Sequence, residues 1–193
     1  MTLVRPHGSI GHVSEFQKML LSHSLQPGDR VVDATLGNGN DALMLLALVG
    51  NTGFLYGFDL QAEALNNSDI LLHHHGYSNY KLFQDCHSKL SEYVEEPIKG
   101  YLFNLGYLPK GNKLVTTLWK TTEIAISQAM NTLSPGGFIG IMTYPGHESG
   151  MIEDSEIQFF FSKIDQNKYQ IAETQFINQK NNPPKYYWLS KRE

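Results

Sequence analysis

Asp33, Asp59, Asp85 and Asn104 each close a short β-branched or aromatic run that reads as a strand. Acceptors fixed at such strand ends stand at the crevice where an open α/β sheet binds its ligand. Between the first of them and the next helix lies Asp33-Ala34-Thr35-Leu36-Gly37-Asn38-Gly39-Asn40-Asp41. Its two glycines let backbone pass close to a bound molecule. A dinucleotide turn would want a third small residue, and Ala42 meets its looser form. The carboxylates of Asp33 and Asp41 would, however, repel a pyrophosphate. They suit a sulfonium and a cationic amino group, and S-adenosylmethionine carries both. On this reading Asp59 accepts from ribose hydroxyls, Asp85 accepts from the adenine amino group, and Cys86 packs beside the ring. Thr35, Gly37, Asn38, Gly39, Asn40, Gln61 and Asn104 complete the expected cofactor contacts. An NAD-dependent oxidoreductase is the competing reading of the turn.

The positioning elements alternate. Helices are predicted over His12 to Ser24, Asn40 to Val49, Gln61 to His75, Ser88 to Glu95, Thr121 to Leu133 and Ile152 to Asp165. Strands are predicted over Arg30 to Ala34, Gly53 to Asp59, Tyr80 to Gln84, Gly100 to Asn104 and Phe138 to Thr143, with a closing pair at Tyr169 to Ile177 and Tyr186 to Ser190. This order predicts a Rossmann-like class I methyltransferase of the α/β class, with a mostly parallel seven-stranded sheet and a C-terminal antiparallel hairpin. The 193 residues suit one domain over 1–193, with an N-terminal helical segment, 1–28, packed on it.

Composition narrows the class further. Hydrophobic residues at 41% and charged residues at 18% are ordinary for a globular domain. Cys86 is the one cysteine, which excludes an internal disulfide. Met1 to Ile10 lacks the apolar core of a secretory signal, so a cytoplasmic protein without a membrane segment is expected. The net charge of −4 does not announce a nucleic-acid binder. Lys99, Lys110, Lys113 and Lys120 cluster nevertheless, and read either as a phosphate-binding patch or as a solvated face. His73, His74 and His75 point about 100° apart on a helix and read as its end, so no metal is expected.

The turn from Asp33 to Asp41, the stretch Gly57-Phe58-Asp59-Leu60-Gln61 and the stretch from Asn104 to Pro109 resemble one family. These are small bacterial proteins long labelled rRNA methylases and since assigned as the tRNA 5-aminomethyl-2-thiouridine methyltransferase. Tyr144 to His147 with Gly150, and Asn178 to Pro184, fit as well, so the resemblance runs from Gly11 onward. It implies a class I S-adenosylmethionine-dependent enzyme acting on a wobble uridine in the tRNA anticodon loop. The chain departs at Lys110 and Asn112, where the family carries glycine and an acid, and at Pro145, where histidine is common. These changes fall on the substrate side.

An aminomethyl nucleophile, with a pKa of roughly 10, is mostly protonated at neutral pH, so the site must remove or suppress a proton. Asn104 and Tyr107 match the outer residues of the Asn-Pro-Pro-aromatic stretch of amino-group methyltransferases, although the prolines are missing. They are read as orienting the amine and packing on the target, against a buried amide and a core ring. His147 is read as base, substrate ligand or structural histidine. Lys110, Lys113 and Tyr144 are the candidate substrate residues, and Thr121 and Thr122 could offer helix-start amides to a phosphate. Asn182-Pro183-Pro184 reads as a turn or a substrate-loop wall. A homodimer is plausible, since no companion RNA-binding module is present. Methylation of rRNA or a small amine, and non-catalytic nucleoside binding on the same fold, remain open.

Overall fold

The computed structural model describes residues 10–94, 97–106 and 117–193. Seven strands form one sheet in the order β3-β2-β1-β4-β5-β7-β6. They are β1 (Arg30–Asp33), β2 (Phe54–Asp59), β3 (Tyr80–Gln84), β4 (Ile98–Asn104), β5 (Leu133–Thr143), β6 (Tyr169–Thr174) and β7 (Lys185–Lys191). The first five pair in parallel, while β7 runs antiparallel to both β5 and β6. The strand order reverses between β1 and β4, which is where a crevice opens at the carboxyl ends.

Alternating side chains along each strand send Val31 and Leu102 to one face, and Val32 and Phe103 to the other. The first face is covered by α1 (Val13–Ser24), α2 (Asn40–Val49) and α3 (Ala62–His74), through buried residues such as Leu21, Leu45 and Leu72. The second is covered by α4 (Leu90–Tyr93), α5 (Trp119–Thr132) and α6 (Glu148–Ser162), through Leu90, Ile126 and Ile157. The three histidines do close α3, with His75 as its C-cap.

The element boundaries moved where side chains act as caps or where a strand leaves the sheet. α6 starts at Glu148 rather than Ile152, because His147 Nδ1 accepts from the Gly150 N–H and caps the helix. Gly150 is required there: a Cβ would run into the Tyr144 carbonyl oxygen. α5 starts at Trp119, so the amides of Thr121 and Thr122 donate to the Leu118 carbonyl and are not on offer to a phosphate. The predicted helix from Ser88 becomes a 3₁₀ turn, His87–Lys89, followed by α4. Of the last predicted strand pair, the first shortens as β6 ends at Thr174, leaving Ile177 91% exposed, and the second lengthens to Lys185–Lys191.

Candidate active site

A cavity of about 780 Å³ lies beyond the carboxyl ends of β1 to β5. The glycine turn after β1 forms its floor and is held from two sides. Asp59 Oδ2 accepts from the Gly37 N–H at 2.9 Å, and its Oδ1 accepts from the Gln61 N–H, also at 2.9 Å. From α3, Ser68 Oγ donates to the Gly37 carbonyl at 3.0 Å. Gly39 adopts φ +77° with the Ser68 side chain pressed against it, so no Cβ fits. Asn67 Nδ2 donates to Asn38 Oδ1 at 3.3 Å on the outer side of the turn.

Thr35, Gly37, Asn38, Asn40, Asp41, Asp59, Gln61, Asp85, Cys86 and Asn104 all line this cavity, as do Tyr144 and His147. Asp33 and Gly39 do not; they lie behind the wall. Asp33 is 1% exposed, accepts from the Thr35 N–H at 3.2 Å, and leaves Oδ2 without a partner among the described residues. Burial, reinforced by the Asp41 carboxylate, holds Asp33 well above the usual carboxylate range. Through its Oδ1 it braces the start of the turn from below. Tyr107, Lys110 and Lys113 fall outside the described residues.

Asp85 is already engaged. It accepts from the Cys86 N–H at 2.7 Å, from Tyr93 Oη at 2.7 Å and from Lys89 Nζ at 3.0 Å, and these partners lower its pKa. Cys86 Sγ accepts from Ser88 Oγ at 3.1 Å. At the other end, the Asn104 N–H donates to Thr35 Oγ1 at 2.6 Å, and Asn104 Nδ2 donates to Asp41 Oδ2. Asp41 Oδ1 accepts from Gln17 Nε2 of α1 at 3.2 Å. Gln17, 3% exposed, is a site-supporting residue the sequence reading missed. Its signal was a polar side chain on the buried stripe between Val13 and Leu21.

His147 is fixed by its cap. Its Nδ1 accepts from the Gly150 N–H at 3.1 Å and lies 2.9 Å from Ser149 Oγ. The loop Asn181 to Pro184 forms part of the cavity wall. Asn181 and Asn182 hold φ of 65° and 47°, a region asparagine tolerates.

Two further groups went unrecognised in the sequence. Glu153 of α6 accepts from Thr117 Oγ1 at 2.7 Å and Thr122 Oγ1 at 2.9 Å, and burial raises its pKa. Thr117 Oγ1 in turn accepts from the Gly106 N–H at 2.8 Å, which ties α6 to the cavity rim. His87 lines the cavity, bonds the Ala34 carbonyl, and leaves Nε2 without a partner among the described residues. Burial lowers its pKa to about 4. The unfolded ring, near 6.5, thus binds more protons than the folded one between those values. Wild-type stability should be fully developed above pH 6.5 and fall as the pH approaches 4. In denaturant titrations the stability gap between wild type and His87→Asn should shrink across that window; a gap independent of pH would contradict the buried, neutral ring.

The parallel sheet with its reversed seventh strand, and the acid-lined crevice at the switch point, define a Rossmann-like class I methyltransferase. Among the described residues, no group of histidine, cysteine and acids is placed to hold a metal. No helix among them is long and apolar enough to cross a membrane. The family model described as "Putative rRNA methylase" matches residues 55–190, and the chain belongs to that family.

Over 176 residues the chain is 37% identical to the chloroplastic tRNA (mnm(5)s(2)U34)-methyltransferase of Arabidopsis thaliana. That match covers 86% of this chain and 64% of the relative's length. A crystal structure of a "putative rRNA-methylase" from Clostridium thermocellum superposes with a TM-score of 0.93 at 36% identity, covering 95% of this chain and all of that one. A "putative methyltransferase" of Streptococcus mutans, solved in complex with SAH, gives a TM-score of 0.87 at 34% identity, covering 95% of this chain and 99% of the other.

Proposed function

We propose that this chain is an S-adenosylmethionine-dependent N-methyltransferase. Its reaction converts 5-aminomethyl-(2-thio)uridine to 5-methylaminomethyl-(2-thio)uridine at the tRNA wobble position. The observation that carries the proposal is the meeting of Asp41 and Asn104 at one end of a nucleoside-sized cavity whose floor is the Asp59-braced glycine turn. The similarity to the plant wobble-uridine enzyme supports the choice of substrate.

The residues fit the cofactor. Asp59 satisfies two backbone amides, and its two carboxyl oxygens keep further lone pairs for the ribose hydroxyls. Thr35, Gly37, Asn38 and Asn40 would lie along the chain of the bound molecule, with Asp33 and Gly39 supporting them from behind. Gln61, Asp85 and Cys86 would flank the adenine. The cofactor supplies an activated methyl group on a sulfonium; the protein supplies orientation and electrostatics. Asn104 would orient the target amine, with Tyr144 and Tyr107 packing on the base and His147 contacting substrate. Lys110 and Lys113 would meet tRNA phosphates. An anticodon loop suits such a site because its bases are unstacked and can be splayed into a pocket. A single domain over 1–193, a homodimer that widens the RNA surface, and a cytoplasmic location belong to the same proposal.

The test is methyl transfer from labelled S-adenosylmethionine to tRNA from cells lacking this modification, read by mass analysis of nucleosides. Label on the wobble uridine is the expected result. Label on rRNA alone would shift the substrate to the second reading. That reading is favoured by a 36% identical stretch of 87 residues shared with a ribosomal RNA small subunit methyltransferase H of Dictyoglomus turgidum.

A further inference from the structure

We infer that Asp41 is the proton acceptor for the substrate amine, an inference that rests on the N-methylation reading above. Asp41 is the second residue of α2 and lines the cavity beside Asn104 and Tyr144. Both its oxygens are aimed by partners: Gln17 Nε2 from α1 holds Oδ1, and Asn104 Nδ2 from β4 holds Oδ2. Because Asn104 spends an amide hydrogen on Asp41, its amide is turned so that the oxygen is directed away from that contact. An alkylammonium entering the cavity end therefore meets the Asn104 amide and, beside it, a carboxylate to receive its proton.

In the reaction, one N–H proton passes to a carboxylate oxygen of Asp41 and leaves a lone pair on nitrogen. That pair forms the new C–N bond to the methyl of S-adenosylmethionine, the S–C bonding pair stays on sulfur, and the proton on Asp41 returns to water after product leaves. An ordinary carboxylate is a weak acceptor for a group with a pKa of roughly 10. Burial narrows the gap by raising Asp41, against the lowering effects of Asn104, Lys18 and Gln17. The titratable groups facing it are Lys18 on α1, Asp33 on β1, Tyr144 after β5 and Tyr186 on β7. His147, also on the cavity wall, has its Nδ1 committed to the α6 cap.

The test compares wild type with Asp41→Asn, using an anticodon stem-loop that carries 5-aminomethyl-2-thiouridine, and measures S-adenosylhomocysteine affinity by calorimetry in parallel. The variant should bind S-adenosylhomocysteine within about threefold of wild type, while its turnover at neutral pH falls on the order of 100-fold or more. Its rate should climb about tenfold per pH unit toward the amine pKa, where solution supplies the free amine. Gln17→Leu removes a contact that lowers the Asp41 pKa, so it should move the acid limb of the pH–rate profile upward and leave cofactor affinity alone. Equal loss of S-adenosylhomocysteine affinity and turnover in Asp41→Asn would overturn the inference and place Asp41 on the cofactor's amino group. An equally active Asp41→Asn beside an active wild type would overturn it while leaving the N-methylation reading intact. An inert wild type that still binds S-adenosylhomocysteine would remove that reading, and the role of Asp41 with it.

Discussion

Asp59→Ala is expected to lower S-adenosylhomocysteine affinity by about 100-fold or more, with the far-ultraviolet circular dichroism unchanged. Asp59 does two things at once. Its carboxylate satisfies the amides of Gly37 and Gln61, and the same group faces the cavity. Each hydrogen bond to a charged acceptor contributes roughly 1.5–3 kcal/mol. Its removal leaves two backbone donors without their partner, and the glycine turn loses its tie to β2. The ligand then meets a loosened floor as well as a missing acceptor, so the losses compound. Asp59→Asn should fall between the two proteins, because an amide offers one oxygen where the carboxylate offers two. Calorimetric titration of the three proteins decides this. Affinity for Asp59→Ala within threefold of wild type would remove the cavity's assignment as a nucleoside site.

The second large effect concerns stability. Asp154, on the inner side of α6, accepts from Thr143 Oγ1 at 2.7 Å, from Tyr187 Oη at 2.8 Å and from Lys185 Nζ at 2.7 Å. Its side chain is 7% exposed and that of Lys185 is 18% exposed. Removing one member of a buried pair strands the other charge, typically at a cost of about 3–5 kcal/mol. Lys185→Met should therefore lower Tm on the order of 10 °C for a chain of this size. The double variant Lys185→Met with Asp154→Leu should recover part of that loss, because no unpaired charge remains. Thermal scans at neutral pH measure both, and a single variant within 2 °C of wild type would show that water already reaches the pair.

Those two residues mark the boundary between what could be read from the sequence and what could not. Asp33, Asp59, Asp85 and Asn104 were legible as strand ends, because each terminates a local apolar run. The glycine turn was legible because its constraint is local too. The network behind them was not. Gln17 reaches Asp41 across 24 positions, and Lys185 reaches Asp154 across 31, and periodicity carries no information about such pairs. A trace of each was present: Gln17 interrupts the buried stripe of α1, and Asp154 precedes Ile157 and Phe161 at helical spacing on the buried side of α6. A polar residue on a buried stripe announces a partner but does not name it. Asp33 was legible by type and spacing, but its depth, 1% exposed behind the turn, was not. The helix boundary at Glu148 was missed because Gly150 reads as a terminator, whereas here the close approach of Tyr144 and His147 demands it.

The placement of β7 between β5 and β6 bears on how the molecule is made. As the chain leaves the ribosome, β1 to β5 can assemble in order, each beside a strand already present. β6 then emerges with nowhere to go, because its neighbour in the sheet is the strand still to be synthesised. Until residues 185–191 arrive, β5 keeps a bare edge, Asp154 lacks Lys185, and the cavity lacks the wall from Asn181 to Pro184. The cavity wall is thus completed only after β1 to β6 have been made. The nascent chain must protect an open sheet edge during the interval.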